Sequence, residues 1–254
     1  MQLSTALRRL GWGGAGPSAH QGPAGPGPDG ASGLAERARR LAPDARQQDG
    51  TTCGSAVLTL LAALGDPRLE HWLATGRLLG PALPPELAGA PSSALEALAD
   101  APAVARFRAV HRVVTRRTSA GALLGLPWPG ALGTPPWGAA RVARFPGVRW
   151  THRPLDDTGR AGLDAELALV RAWVHAGVPV PLFTGGDTAQ GLTAAVPRHV
   201  VLAVGGDDRG LDLFEPSRGA VVRAGLDDLG AGDRPLPALG GWRHLVWVVA
   251  PVPA

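Results

Sequence analysis

Residues 199–223 read HVVLAVGGDDRGLDLFEPSRGAVVR and contain three short apolar runs separated by two turn sequences. The turn sequences are GGDD at 205–208 and PSRG at 216–219, and both are rich in residues that reverse the chain. Short apolar runs bounded by such turns are typical of strands. We therefore predict strands at 199–204, 211–214 and 220–223, joined in an antiparallel sheet.

Further strands are expected on both sides of this segment. Residues 178–183 and 245–250 are rich in apolar and branched side chains, and residues 148–153 alternate weakly. Pro179 and Pro181 cannot donate a hydrogen bond to a ladder, so we expect the strand at 178–183 either to lie at an edge of the sheet or to pair irregularly.

Helical periodicity lies mainly before these strands. Residues 53–64 carry apolar side chains at helical spacing, and Thr51 or Thr52 can cap the start of this helix. Residues 163–175 show a second amphipathic pattern. Shorter helices are expected at 34–41, at 67–75 and at 137–145. Residues 92–117 are expected to form one or two helices, with Pro102 as a start or a break. Helices followed by an antiparallel sheet indicate an α+β fold.

The composition excludes several classes of protein. The chain has 254 residues, of which 45% are hydrophobic, so it can bury a substantial core. No apolar run approaches the roughly 18 residues of a membrane-spanning helix, and the N-terminus lacks a signal-peptide stretch. We therefore expect a cytoplasmic protein with no membrane partner. The single cysteine, Cys53, excludes a disulfide framework and a cysteine-based zinc site. No His, Asp or Glu cluster has ligand spacing, so we expect no metal and no cofactor.

All 25 basic residues are arginines, against 21 acidic residues, which gives a net charge of +4. Lysine and tyrosine are absent, so almost nothing titrates between histidine and arginine, and the pI rises to 10.9. The high pI is therefore weak evidence for nucleic acid, which we do not expect as a partner.

Residues 101–155 hold nine arginines and no acidic residue. They form either a surface for an anionic partner or, as we expect, a solvated face that is balanced by acidic residues near the C-terminus. Those acidic residues are Asp207, Asp208, Asp212, Asp227, Asp228 and Asp233.

The N-terminal region has a different composition. Residues 13–33 are mostly Gly, Pro and Ala, which bury too little apolar surface to offset the entropy lost on ordering. We therefore predict a flexible arm over residues 1–44 and a folded domain over residues 45–254. On this prediction, residues 13–33 are dispensable for folding.

The only cysteine lies in the sequence QQDGTTCG at 47–54, at the predicted start of a helix. Free N–H groups and the positive end of the helix dipole favour a thiolate at this position. Gln47 precedes the cysteine by six residues, so its side-chain amide can fold back and form an oxyanion hole with the N–H of Cys53. Gln48 can take this role if the loop adopts a different register.

A catalytic thiolate needs a base, and His199 opens the first of the predicted strands. A hairpin from 199 to 215 returns Glu215 to the side of His199, where its carboxylate can orient the imidazole and stabilise its charged form. The alternatives are structural. Cys53 can be a small buried apolar side chain, and Glu215 can belong to the turn that begins at Pro216.

These segments together resemble papain-like cysteine peptidases, and within them the bacteriocin-processing branch. The resemblance rests on Gln47 and Cys53 at the start of a helix, on His199 at the start of a strand, and on an acidic residue before proline, Glu215, further along. Looser similarity is found at residues 133–137 and 177–182, and the resemblance extends over roughly residues 45–250.

The resemblance implies a papain-like fold, in which a helical lobe with the nucleophile helix packs on an antiparallel sheet. It also implies that Cys53 is the nucleophile, His199 the base, Glu215 the orienting residue and Gln47 the oxyanion donor of a peptide or amide hydrolase. The family usually has aspartate where this chain has Glu215. Members fused to transporters cleave double-glycine leaders, and this chain shows no transporter segment, which leaves its substrate open.

Three other functions stay open at this point. The same residues can transfer an acyl group to an amine, as in relatives that resemble transglutaminases. The chain can be a papain-fold binding module without turnover, although an intact set of Cys, His and Gln argues against this. An arginine-rich nucleic-acid binder would need the basic segment at 101–155 to form one exposed stripe.

Overall fold

The computed structural model describes residues 30–155, 160–185 and 197–253. Within these ranges the chain forms an α+β fold with one six-stranded sheet, so the predicted class is confirmed. The helices are α1 Gly30–Leu41, α2 Cys53–Gly65, α3 Pro67–Thr75, α4 Ser92–Ala99, α5 Ala103–Ser119, α6 Pro136–Val142, α7 Arg160–His175 and α8 Leu226–Ala231. The strands are β1 Val148–Pro154, β2 Val180–Gly185, β3 His199–Asp207, β4 Gly210–Glu215, β5 Ala220–Gly225 and β6 His244–Pro253. Two short 3-10 helices lie at Gly130–Leu132 and Pro237–Leu239.

The strands pair antiparallel throughout, in the order β1-β6-β2-β3-β4-β5. Of the two alternatives for the proline-containing strand, the edge position is wrong, because β2 lies between β6 and β3. Irregular pairing is confirmed, because the register with β6 shifts between Phe183 and Thr184. Pro179 precedes β2, and Pro181 pairs with Leu202 of β3. The ladder with β6 begins only at Leu182, so Pro181 has no partner strand on that side and its missing N–H is tolerated.

Helices cover both faces of the sheet. One core cluster joins α1, α2, α3 and α5 to Val200, Leu202 and Val204 of β3. A second cluster joins α7 to the intervening residues Val201 and Ala203. The alternation follows the two-residue period of a strand. The sheet is therefore the middle of three layers, with the helical lobe on one side and α7 on the other.

Helix α2 is buried from Cys53 to Leu64. Its sequence, CGSAVLTLLAALG, has no charged residue, and a helix that is apolar all round is expected in a protein interior. Asp66 ends α2, donating its backbone N–H to the carbonyl of Ala62 at 2.9 Å. The carboxylate of Asp66 caps α3 by accepting from the N–H of Arg68 at 3.0 Å. Packing on all sides fixes the position of Cys53 at the first residue of α2.

Helix α1 packs on the domain, which differs from the predicted boundary after residue 44. Leu34, Ala38 and Leu41 of α1 are buried in the same core cluster as α2, and Arg37 forms an ion pair with Glu70 of α3. A helix at 34–41 is expected from the sequence, but the Gly/Pro-rich composition before it led to its assignment to the arm and not to the domain. The predicted flexible arm before residue 30, and most of the segment expected to be dispensable, lie outside the described residues.

The remaining helices follow the sequence closely. The segment at 92–117 is two helices with the expected break at Pro102, which immediately precedes α5. The helix expected at 137–145 ends three residues early, at Val142. In the described ranges, the longest and most apolar helices fall short of what is needed to cross a membrane.

Candidate active site

Cys53 is the first residue of α2 and is 3% exposed. The side chain of Thr52 does not cap this helix, which differs from the sequence-based expectation. Its hydroxyl accepts instead from the N–H groups of Gln48, at 2.9 Å, and Asp49, at 3.1 Å, while the Thr51 hydroxyl donates to Asp49. Both threonines therefore shape the preceding loop. The N–H groups of the first helical turn are left uncapped by these side chains, as an oxyanion site at this end of the helix requires.

Gly54 allows another segment to approach the start of α2. A Cβ at this position would lie 2.4 Å from Oγ1 of Thr134, which is too close for any real contact. Gly133 has a φ of +70° and also lies beside the helix start, near the carbonyl oxygen of Thr51. The segment 133–137 therefore packs beside Cys53 because residue 54 has no side chain.

His199 and Glu215 are in direct contact. β3 begins at His199 and β4 ends at Glu215, and these ends lie side by side because the two strands are antiparallel neighbours. Nε2 of His199 lies 2.6 Å from Oε1 of Glu215. The two residues are 7% and 0% exposed. The glutamate therefore reaches the imidazole from the position that the hairpin predicts.

The carboxylate of Glu215 also accepts hydrogen bonds from the turn that follows it. Ser217 donates its N–H to Oε1 at 2.9 Å and its hydroxyl to Oε2 at 2.7 Å, and the N–H of Arg218 donates to Oε2 at 2.8 Å. Burial by itself would raise the pKa of Glu215, but the hydrogen bonds from His199 and Ser217 lower it to about 2. The carboxylate is therefore ionised at neutral pH.

The imidazole of His199 interacts with both Cys53 and Glu215. Burial by itself would lower the pKa of His199, but these interactions raise it to about 9. Because Nε2 faces Glu215, the ring nitrogen left for the sulfur is Nδ1. The structure therefore brings together three residues that a helix and two strands supply from distant parts of the chain.

A tight turn packs against the ring of His199. It consists of Pro237–Leu239 and Gly240, which has a φ of +68°. A Cβ at Gly240 would lie 2.4 Å from Cδ2 and 2.6 Å from Nε2 of His199. Thr184 anchors this turn by donating its hydroxyl to the carbonyl of Leu239 at 3.0 Å. Thr184 is also the ladder partner of His199 in β2, so the strand and the turn together confine the imidazole.

Gln47 lies against the turn that follows β4. Its backbone N–H donates to the carbonyl of Pro216 at 2.9 Å. Its side-chain amide donates to the carbonyl of Asp49 at 2.8 Å, which uses one of the two amide hydrogens. The amide of Gln48 instead points to the carbonyl of Arg108, at 3.4 Å on the exposed surface. Both side-chain amides therefore donate to backbone carbonyls, that of Gln47 within its own loop and that of Gln48 to α5.

The acidic residues near the C-terminus do not balance the arginines at 101–155, in contrast to the sequence-based expectation. Five of the six pair with arginines from other parts of the chain, which could not be foreseen without the register of the sheet. These ion pairs are Arg39–Asp212, Arg160–Asp227, Arg171–Asp208, Arg223–Asp207 and Arg234–Asp228. Within the described part of the chain, no group of three or more His, Cys, Asp or Glu side chains could hold a metal ion.

Three positioning residues were missed by the sequence analysis, namely Ser217, Thr184 and Gly240. A serine two residues after an acidic residue in a turn is a signal for Ser217, because short polar side chains bond to nearby groups in turns. The pair Gly240-Gly241 is a signal for a left-handed turn but does not indicate what it packs on. Nothing in the local sequence marks Thr184.

Comparison with protein-family models, with curated proteins and with solved structures gives no match for this chain. The resemblance to papain-like peptidases therefore rests on the residues of the site and on their spacing.

Proposed function

We propose that this chain is a cysteine-dependent hydrolase of peptide or amide bonds with a papain-like arrangement of its site. The observation that carries the proposal is the placement of His199 between Cys53 and the buried carboxylate of Glu215. An imidazolium held between a carboxylate and a sulfur is the arrangement that activates a nucleophilic cysteine. A buried thiol with only a structural role needs no such neighbours.

In the proposed reaction, the Cys53 thiolate attacks the substrate carbonyl carbon, and a C–S bond forms as the carbonyl electron pair moves onto oxygen. The His199 imidazolium then gives its Nδ1 proton to the leaving nitrogen while the C–N bond breaks, which leaves a thioester. Neutral His199 next takes a proton from a water molecule while the oxygen of that water attacks the carbonyl carbon of the thioester. The C–S bond breaks, the carboxylic acid leaves, and the thiolate and imidazolium are restored.

The negative oxygen of each tetrahedral intermediate needs donors that are already in place. The N–H of Cys53 lies at the start of α2, and the second amide hydrogen of Gln47 is not used by Asp49. Donors of this kind contribute about 10²- to 10³-fold in rate. The hydrogen bond from the backbone N–H of Gln47 to the carbonyl of Pro216 connects this loop to the turn that holds Glu215. The same turn therefore positions both the oxyanion donor and the orienting carboxylate.

Glu215 has the role of an orienting group in this mechanism. Its ionised carboxylate holds Nε2 of His199 and stabilises the imidazolium, while Ser217 and Arg218 hold the carboxylate. The extra methylene of glutamate relative to aspartate is accommodated by these bonds from the following turn.

Incubation with a peptide mixture prepared from a whole proteome tests this proposal. We expect the wild-type protein to generate new peptide termini, which mass spectrometry detects, and the Cys53→Ala variant to generate none. A second incubation with a primary amine separates hydrolysis from acyl transfer, because transfer leaves amine adducts on the products. Peptides that are retained but left intact by the wild-type protein would favour a binding module instead.

A further inference from the structure

Most arginines in the segment 101–155 have partners in the structure. Arg106 and Arg141 donate to backbone carbonyls at helix ends. Arg117 and Arg149 donate to single carbonyls, of Pro85 and Pro253. Arg144 pairs with Asp66 and Glu86, and Arg153 pairs with Glu166.

The three others, Arg108, Arg112 and Arg116, are exposed, and their side chains form no hydrogen bond or ion pair with the described residues. They lie four residues apart on the outer face of α5, so their spacing along the helix is about 6 Å. We call them the arginine row. The next position on this face is Ala120, which is also exposed and from which the chain leaves the helix.

A short reversal of the chain continues from the end of this row, and we call residues 121–126 the leucine hairpin. Leu123 and Leu126 bond to each other through both backbone N–H groups, at 2.9 and 2.8 Å. Leu124 at its tip is 100% exposed and has a φ of +50°, which no other non-glycine residue in the described ranges shares. A leucine at positive φ is strained, since glycine, asparagine or aspartate suits such a position better.

The leucine hairpin is held firmly to the domain. Trp137 donates its ring N–H to the carbonyl of Ala122 at 2.7 Å and packs edge-on against Trp128, with ring centroids 5.2 Å apart. The backbone N–H of Trp128 donates to the carbonyl of Ser119 at the end of α5. Exposed leucines in this region are Leu123, Leu124, Leu126 and Leu132. Scattered exposed leucines are ordinary, but four within so short a segment indicate a contact surface.

We propose that the leucine hairpin and the arginine row together form a docking surface for an anionic lipid bilayer. The apolar tip protrudes, which suits insertion among lipid chains. The groove beside Arg116 and Ala120, which a peptide could occupy, has no residue of the leucine hairpin in its lining, so a peptide there would leave the tip uncovered. The unpaired arginines beside it suit anionic headgroups, and a nucleic acid would gain nothing from the leucines. Such a contact lies at the membrane surface and needs no membrane-spanning helix. It departs from the sequence-based expectation of no membrane partner, which rested on the lack of a long apolar run.

Co-sedimentation with lipid vesicles tests the proposal on the full chain. We expect binding to vesicles of phosphatidylcholine mixed with phosphatidylglycerol, weaker binding to phosphatidylcholine alone, and loss of binding as salt is raised. The key variant is Leu124→Asn, which removes the apolar tip but places a favoured Asn-Gly pair in the turn. We expect its binding to fall about tenfold or more, with a melting temperature no lower than that of the wild type. Leu124→Met keeps an apolar tip and should retain binding.

The contribution of the arginine row has its own matched pair of variants. Arg112→Gln should weaken binding to the anionic vesicles about fivefold, whereas Arg209→Gln, in the exposed turn between β3 and β4, should leave it unchanged. Absence of vesicle binding at low salt would overturn the proposal, as would equal binding by the wild type and Leu124→Asn. Retention on DNA or self-association through the hairpin, with vesicles left unbound, would assign the surface to another partner and also overturn it.

Discussion

Glu215 accepts four hydrogen bonds from His199, Ser217 and Arg218 while being fully buried. An unpaired buried carboxylate would become neutral, so these bonds are the reason that the group stays ionised. The ionised carboxylate in turn keeps a positive charge on His199, next to the sulfur of Cys53. At the scale of single residues, the site therefore depends on a short turn that fixes a glutamate as much as on the nucleophile itself.

The residues that carry charge or nucleophilicity were predictable from the sequence, because their types and spacing match a known chemistry. The residues that confine them were not. Gly240 contacts His199 only because the turn at 237–240, which follows β5 and α8 in the chain, packs back against β3, β4 and β5. Such a contact depends on the register of several strands, which local sequence does not determine.

Gly240→Ala tests whether this turn positions His199, and Gly241→Ala is its matched control. Both glycines have positive φ, +68° and +84°, so each alanine introduces comparable backbone strain of about 1 kcal/mol. Only the Cβ at position 240 would clash with the imidazole, since nothing lies within 4 Å of the corresponding Cβ at position 241. We expect both variants to melt slightly lower and only Gly240→Ala to slow alkylation of Cys53, by more than tenfold. Equal alkylation rates in the two variants would contradict a positioning role.

At the scale of elements, the strands and most helices were predictable because periodicity and turn residues agree along the chain. Two elements differed for identifiable reasons. β2 is central despite Pro181, since the β6 ladder begins just beyond this residue. α1 belongs to the core although the composition before it suggested an arm, because burial depends on a few apolar positions and not on average composition.

Leu34→Ala tests the place of α1 in the core. Leu34 is fully buried, so truncation should lower the free energy of unfolding by about 3 kcal/mol through lost burial and a residual cavity. Glu36→Ala, on the exposed side of the same helix, is the control and should change stability by less than about 0.5 kcal/mol. Urea denaturation measures both. Similar midpoints for the two variants would show that α1 is not part of the cooperative fold.

At the scale of the whole molecule, three buried ionisable groups shape how stability depends on pH. The raised pKa of His199 adds stability that is complete below about pH 6.5 and is lost as the pH rises through about 9. The lowered pKa of Glu215 adds stability that is present above about pH 4.5 and is lost as the pH falls towards 2. His111, on the buried face of α5, has its pKa lowered to about 4, by burial and by Arg108 and Arg112.

His111→Leu tests this last contribution. The neutral ring is completely buried and its two nitrogens have no hydrogen-bond partner among the described residues, so folding excludes the proton that the unfolded chain binds. The wild type should therefore lose about 3 kcal/mol of stability from this group between about pH 7 and pH 4. The variant should show a correspondingly flatter dependence in urea unfolding. Parallel curves for the two proteins would mean that His111 binds its proton as readily in the folded protein as in the unfolded chain.

The central claim is that His199, held by Glu215, makes Cys53 a reactive thiolate. The most direct test is the rate of alkylation of Cys53 by iodoacetamide across pH, which is unambiguous because the chain has one cysteine. A thiol without an ion partner reacts appreciably only above about pH 8. We expect the wild type to react quickly at pH about 6, His199→Ala to follow the ordinary thiol profile, and Glu215→Gln to fall between them. The account would be contradicted by identical profiles in the wild type and His199→Ala, or by a wild-type thiol that reacts only after the protein unfolds.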